Sequence, residues 1–119
     1  MTKDYYSGFE GEPELRFLLE RGAMEVDVVR LWVGFFDALM ATVEPHNGEW
    51  RALALPYHLH AGWYDQARWK VEDLGEVLGQ WKTISVADLD ERCVRAHRDV
   101  LALLEDAAQN GGDVWIVYE

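Results

Sequence analysis

His58 and His60, two histidines separated by one residue, are the pair with the clearest potential for metal binding. In a β-strand, residues i and i+2 share a face, so both imidazoles could reach one cation. In a helix the two side chains point in directions about 200° apart, and a shared site does not form. The chain has no HExxH motif, and its single cysteine cannot build a thiolate site. We therefore predict no metal and no cofactor, and interpret both histidines as surface residues.

Nucleophilic catalysis lacks a recognisable set of residues. Cys93 and His97 are four residues apart, which places them on one face of a helix. Cys93, however, occupies a core position in the apolar pattern, where a thiol behaves as a small hydrophobic group. Neither serine, Ser7 or Ser85, lies in a GxSxG motif. We predict no catalytic residue, and an enzymatic function remains an alternative.

The segment between Trp50 and Trp81 is dense in aromatic side chains, mixed with histidine, aspartate and basic residues. Trp, Tyr and Arg dominate the energy of protein–protein contacts. Tryptophan also fills the cores of small domains, but we do not expect a chain of this size to bury all six. The segment therefore predicts a partner-binding surface made of Tyr57, His58, His60, Trp63, Tyr64, Asp65 and Trp69.

The overall charge restricts the class of partner. Twenty-two acidic residues against eleven basic ones give a net charge of −11. A field of this sign repels nucleic acids and anionic membranes and accelerates the encounter with a basic protein, although it also serves solubility alone. No apolar run is long enough to span a membrane, and a single cysteine suits a reducing compartment. We predict a cytoplasmic protein with no nucleic-acid or membrane partner.

The elements that must position these residues are predicted to be mostly helical. The 119 residues contain no repeat or linker, which indicates a single domain over 1–119. Apolar residues also recur at every second position within 49–63, as in a strand, so the assignment of this segment stays open between helix and strand. Apolar residues spaced three and four apart predict helices over about 13–21, 24–43, 49–55, 71–82 and 85–110.

The two ends of the chain have the composition of β-strands. Residues 4–10 and 113–119 are short and rich in aromatic and β-branched side chains. An isolated strand is not stable in water, so we expect these two segments to pair with each other. The predicted fold class is therefore α+β and mostly α: a bundle of four to five helices with a small sheet formed by the N- and C-terminal strands.

Three interpretations of function follow. The first is a non-enzymatic acidic protein-binding module that inhibits a basic partner, by analogy of charge and size with small bacterial immunity proteins and antitoxins. The second is a small-molecule-binding protein or small enzyme with a pocket lined by Trp32, Phe36, Trp63 and a histidine. The third is a homo-oligomer, such as a homodimer, that buries its aromatic surface against its own copy. We predict the first, because it uses both the charge and the aromatic residues without a catalytic constellation.

Overall fold

The computed structural model describes all 119 residues, and its centre is a five-stranded mixed sheet. The strands are β1 (Thr2–Tyr5), β2 (Glu14–Arg21), β3 (Met24–Trp32), β4 (Trp69–Lys70) and β5 (Asp113–Tyr118). Their order across the sheet is β1-β3-β2-β5-β4. β1 runs parallel to β3, and all other neighbours are antiparallel. β2 is therefore the middle strand, with hydrogen-bonded partners on both sides.

Four α-helices and one short 3-10 helix complete the fold. They are α1 (Val33–Met40), α2 (Ala54–Leu59), the 3-10 helix (Gly62–Tyr64), α3 (Leu74–Thr83) and α4 (Glu91–Asn110). Helices hold about 39% of the residues and strands 26%, so the predicted mostly-α bundle of four to five helices is wrong. None of these helices has both the length and the apolar character that crossing a membrane requires.

The two terminal strands exist, but they do not pair with each other. β1 covers 2–5 rather than 4–10, and its parallel partner is β3. β5 confirms the strand predicted over 113–119, but it lies between β2 and β4. The predicted small terminal sheet is therefore wrong. The backbone N–H and C=O groups of β1 and β5 form hydrogen bonds with the β2–β3 hairpin. The apolar pattern had predicted helices for the residues of this hairpin.

Residues 14–32 form a β-hairpin, and its first strand, β2, has buried residues on both of its faces. Leu15 and Leu19 belong to the core beneath one face, while Leu18 is buried on the other. Polar and apolar residues alternate from 14 to 20 except at Leu18, and this one break makes Leu15, Leu18 and Leu19 imitate a helical stripe. Gly22 adopts φ +63° in the turn that reverses the chain. The three valines of β3 also favour a strand, because β-branched side chains fit a pleated surface.

The predictions for the second half of the chain are closer. α3 occupies 74–83 where 71–82 was expected, and α4 ends at Asn110 as predicted. α4 begins later than expected, because Asp90 rather than Ser85 caps it by accepting a hydrogen bond from the backbone N–H of Arg92. The predicted helix over 24–43 shrinks to α1, and the one over 49–55 is replaced by α2, which starts at Ala54.

The core lies between the sheet and the helices α1, α3 and α4. The ring of Phe17 in β2 meets Phe36 of α1 at 6.3 Å and Trp81 of α3 at 5.5 Å between centroids. α4 contributes a buried stripe whose members are spaced three and four apart, as in an amphipathic helix. These residues are Cys93, Ala96, Val100, Leu103, Leu104 and Ala107.

Charged side chains on the opposite face of the sheet neutralise one another. Glu14 accepts a hydrogen bond from the guanidinium of Arg30 at 2.8 Å and lies 3.6 Å from that of Arg16. The guanidinium of Arg68 lies 4.2 Å above the ring of Trp115, a cation–π arrangement. Because this face uses several of the few basic residues, many carboxylates elsewhere are left without an ion pair.

Gly112 permits the chain to turn from α4 into β5. Its φ is +118°, and a Cβ there would lie 2.6 Å from the carbonyl oxygen of Glu20. We expect Gly112→Ala to lower the free energy of unfolding by about 1–3 kcal/mol, measured by urea denaturation. The control is Gly111→Ala, where φ is also positive but no atom lies within 4 Å of the added Cβ. An equal loss in both variants would show that the contact with Glu20 is unimportant.

Candidate functional site

The candidate site is centred on α2, a six-residue helix that presents two leucines to solvent. Ala54, at the start of the helix, is buried, whereas Leu55 is 43% and Leu59 66% exposed. Residues four apart lie on the same side of a helix, so the two leucines form one apolar stripe. The other large apolar side chains with comparable exposure are Met1 and Met24, which stand alone near the chain end and the β2–β3 turn.

Aromatic rings of residues close to this stripe in the chain are held in place by stacking. The ring of Trp50 stacks on His58 at 3.8 Å, and that of His60 stacks on Tyr64 at 3.9 Å between centroids. Tyr64 in turn meets Tyr118 of β5 edge-on at 4.9 Å. Rings fixed in this way lose little further freedom when a partner binds. The α2 surface, as we call it, consists of Trp50, Leu55, Tyr57, His58, Leu59, His60 and Tyr64.

Two carboxylates border the α2 surface. The hydroxyl of Tyr57 donates a hydrogen bond of 2.9 Å to Oδ1 of Asp37, which joins α2 to α1. Asp65 directly follows the 3-10 helix. Both aspartates are exposed, and neither has a basic side chain within 4.0 Å. Their charges are therefore free to attract a cationic partner.

Tyrosine ionisation should destabilise the protein at alkaline pH. Burial and the hydrogen bond to Asp37 raise the pKa of Tyr57, and burial raises the pKa of Tyr64. Burial and the hydrogen bond to Asp99 raise the pKa of Tyr5 to about 12. Free tyrosine titrates near pH 10, so the unfolded chain loses these protons first. The stabilisation present below about pH 10 should therefore decline as the pH rises further.

The urea concentration at the midpoint of denaturation should decrease as the pH is raised from about 10 to about 12. Tyr57→Phe removes one of the titrating groups, so this variant should show a smaller decline over the same pH range than the unmodified protein. A midpoint that stays constant above pH 10 would contradict the raised tyrosine pKa values.

The structure leaves the predicted contact residues at least partly exposed, with the exception of Trp63. Trp63 is 1% exposed and belongs to the core. Its ring meets Phe36 at 5.7 Å and Trp69 at 5.3 Å, both edge-on. Trp69, in β4, is half-buried. The surface part of the predicted set is therefore carried by the residues of α2 and the 3-10 helix, with Trp63 as the support beneath them.

The two histidines do not point towards a common site. His58 lies within α2, and His60 ends this helix in a left-handed conformation with φ +56°. One ring stacks on Trp50 and the other on Tyr64. The strand geometry that would let both reach one cation is thus not formed. No group of three or more His, Cys, Asp or Glu side chains comes together in the structure as a metal site would require.

Three members of the site were missed in the sequence, namely Trp50, Leu55 and Leu59, and so was the carboxylate of Asp37. The predicted helix ends at residue 55, whereas α2 begins at Ala54. With the observed helix, the four-residue spacing of Leu55 and Leu59 would have indicated an exposed stripe. The contact between Asp37 and α2 depends on how α1 packs, so no sequence signal indicates it.

Cys93 and His97 do not form a nucleophilic pair. Cys93 is 1% exposed, and its sulfur lies 3.5 Å from the carbonyl oxygen of Phe35. The ring of His97 stacks on Trp81, and its Nε2 lies 2.9 Å from the carbonyl oxygen of that residue. Burial, assisted by the charge of Asp90, raises the pKa of Cys93 to about 11. The reactive thiolate is therefore scarce near neutral pH.

The structure contains one cavity, with a volume of about 420 Å³, between residues 43–52 and α3. The pocket proposed around Trp32, Phe36 and Trp63 is not this cavity, and none of the three lines it. Trp32 stacks on Phe9 instead, at 4.0 Å. The charged and polar residues that do line the cavity are Glu44, His46, Arg51, Glu76, Gln80 and Thr83.

Comparisons of the chain with protein families, curated proteins and solved structures found no match. Two features of the fold stand out at the surface of the molecule, the α2 surface and the cavity beside it. The first presents apolar and aromatic groups, and the second presents charges.

Proposed function

We propose that this chain is a non-enzymatic protein-binding module whose α2 surface contacts a basic protein, as an inhibitor of the immunity-protein or antitoxin type would. The observation that carries the proposal is the exposure of Leu55 and Leu59 on one side of a short helix, among rings already fixed by stacking. Contiguous exposed apolar groups with a polar border are typical of protein interaction sites.

Buried residues next to the exposed leucines attach α2 to the rest of the domain. Leu53 and Ala54, both fully buried, already anchor the start of the helix. Removing a leucine side chain completely from water contributes about 1.5–3 kcal/mol. A partner that covers Leu55 and Leu59 would therefore gain apolar burial that the isolated domain leaves unused.

The aromatic members of the α2 surface are residue types that often dominate binding energy. Trp50, Tyr57 and Tyr64 are each half-buried, so part of every ring remains available for contact. Tyrosine and tryptophan are enriched among hot-spot residues because they combine a large apolar area with a polar group. Their fixed positions reduce the entropy that binding would otherwise cost.

The charge of the partner follows from the unpaired carboxylates. Asp37 and Asp65 border the α2 surface without ion pairs, whereas Arg16, Arg30 and Arg68 are paired on the sheet. Together with the net charge of −11, this favours a basic protein and a fast, salt-dependent association. Nucleic acids and anionic membranes carry the wrong sign of charge for this surface.

The test is the capture of a partner from a lysate of the native host by the tagged protein, at low and at high salt. We expect one basic protein to be retained at low salt and retained more weakly at high salt. The capture must also depend on the α2 surface, which is examined with the leucine variants described in the Discussion. If the leucine variants retained the partner as strongly as the unmodified protein, the proposal would be contradicted.

Self-association is the competing outcome. If the protein elutes as a dimer, and substitution of Leu55 and Leu59 converts it to a monomer, the α2 surface is a contact between two copies. That result would overturn the proposal in favour of a homo-oligomer.

A further inference from the structure

The cavity beside α3 adjoins the α2 surface. Arg51 and Ala52 line the cavity, and their neighbour Trp50 belongs to the α2 surface. The volume of about 420 Å³ falls within the range of roughly 300–1,000 Å³ that is typical of ligand sites. The α2 surface and the wall of the cavity are therefore joined through consecutive residues of one segment, 50–52.

Side chains of α3 hold the loop that forms one wall of the cavity. Oε1 of Glu76 accepts a hydrogen bond of 3.1 Å from the backbone N–H of Ala52. Gln80 accepts one of 2.9 Å from the backbone N–H of Leu53, and its amide nitrogen donates one of 2.7 Å to the carbonyl oxygen of Arg51. The wall is thus fixed by three side-chain contacts, which gives the cavity a defined shape before any ligand arrives.

Ala52 is held in a conformation that alanine rarely adopts. Its φ is +51°, in the left-handed region, which costs an L residue about 1–2 kcal/mol. The bonds from Glu76 and Gln80 to this segment offset that cost. Backbone strain maintained by surrounding contacts is concentrated at binding sites and functional loops. The strained residue lines the cavity itself.

The charges around the cavity are not neutralised by one another. Glu44 and Glu76 supply two carboxylates, and neither has a basic side chain within 4.0 Å. Arg51 also lines the cavity and likewise forms no ion pair, and the imidazole of His46 completes the set of charged or titratable groups. Two carboxylates against one guanidinium leave the cavity acidic, in a chain of net charge −11.

We propose that this cavity receives a lysine or arginine side chain of the protein that covers the α2 surface, a proposal that rests on the function proposed above. An ammonium or guanidinium group carries only hydrogen-bond donors, three in lysine and five in arginine. Both oxygens of Glu44 and the second oxygen of Glu76 accept no hydrogen bond from another residue, and both side chains are exposed. The cavity thus supplies what such a group requires.

The site can be tested without the partner by titrating the ¹⁵N-labelled protein with Nα-acetyl-L-arginine amide, whose only charge is the guanidinium. We expect amide shifts confined to residues 43–53 and 76–83. Glu44→Gln should weaken the binding of this probe roughly two- to five-fold, the usual effect of one exposed charge pair. Arg51→Gln should strengthen the binding by a similar factor, because it removes a repelling charge.

The matched control is Glu25→Gln, which removes an exposed carboxylate at the β2–β3 turn and should leave the binding of the probe unchanged. Shifts outside the cavity, or unaltered binding in Glu44→Gln, would overturn the proposal. Weaker binding in Arg51→Gln would also overturn it, since that result indicates an anionic or zwitterionic ligand. If the cavity proposal fails in one of these ways but the capture of a basic partner still depends on Leu55 and Leu59, the proposed function stands.

Discussion

Replacing Trp63 by alanine should lower the free energy of unfolding by about 3–5 kcal/mol, because the substitution empties a large core site. The indole is 1% exposed and lies edge-on against Phe36 of α1 and Trp69 of β4. It therefore attaches the 3-10 helix, and α2 before it, to α1 and to β4. A loss of this size is a large share of the roughly 5–15 kcal/mol that stabilises a typical domain.

The comparison that makes this prediction specific is with the next residue in the chain. Tyr64 is half-buried, so Tyr64→Ala should cost much less than Trp63→Ala. Trp63→Phe keeps an aromatic ring against Phe36 and Trp69 and should also be milder. Urea denaturation followed by circular dichroism measures all three variants. If Trp63→Ala were no more destabilising than Tyr64→Ala, the placement of Trp63 in the core would be wrong.

Replacing Leu55 and Leu59 together by serine should weaken binding of the captured partner by at least about 2 kcal/mol, or roughly thirty-fold in Kd. The two side chains are 43% and 66% exposed and contribute the apolar centre of the α2 surface. Their replacement should change the free energy of unfolding by only about 0.5 kcal/mol each, because exposed positions contribute little to the core. Isothermal titration with the purified partner measures the Kd.

Met24→Ser is the matched control for the leucine variant. Met24 is 71% exposed at the β2–β3 turn, so its substitution removes a comparable apolar side chain outside the α2 surface. The control should bind the partner with unchanged Kd. Equal weakening by Met24→Ser and by the double variant would indicate unspecific apolar association, and unchanged binding by the double variant would place the partner elsewhere.

Helices α3 and α4 were predicted close to their observed positions because their patterns are local. The buried stripe of α4 repeats at three and four residues over about four turns, and Gly111 follows the end of the helix. β5 was recognised for a similar reason, since every residue from Val114 to Tyr118 is β-branched or aromatic. The sign and size of the net charge are also properties of the sequence alone, and they limit the class of partner.

The pattern of the first hairpin strand is compatible with both a strand and a helix. Polar and apolar residues alternate from Glu14 to Glu20 in β2, but Leu18, which is buried on the second face of the sheet, breaks the alternation. Leu15, Leu18 and Leu19 then fit a helical stripe as well as a strand. The pairing of β2 with β3 and β5 decides between the two, and β5 lies about a hundred residues further along the chain.

The sequence determined that residues 50–69 are rich in groups suited to binding, whereas the tertiary structure decided which of them face outward. Trp63 and Tyr64 are adjacent, yet one fills the core and the other remains half-exposed beneath His60. Burial depends on neighbours such as Phe36 and Tyr118, which approach these rings only when α1 and β5 are packed. Side-chain type is local information, whereas exposure is a property of the assembled fold.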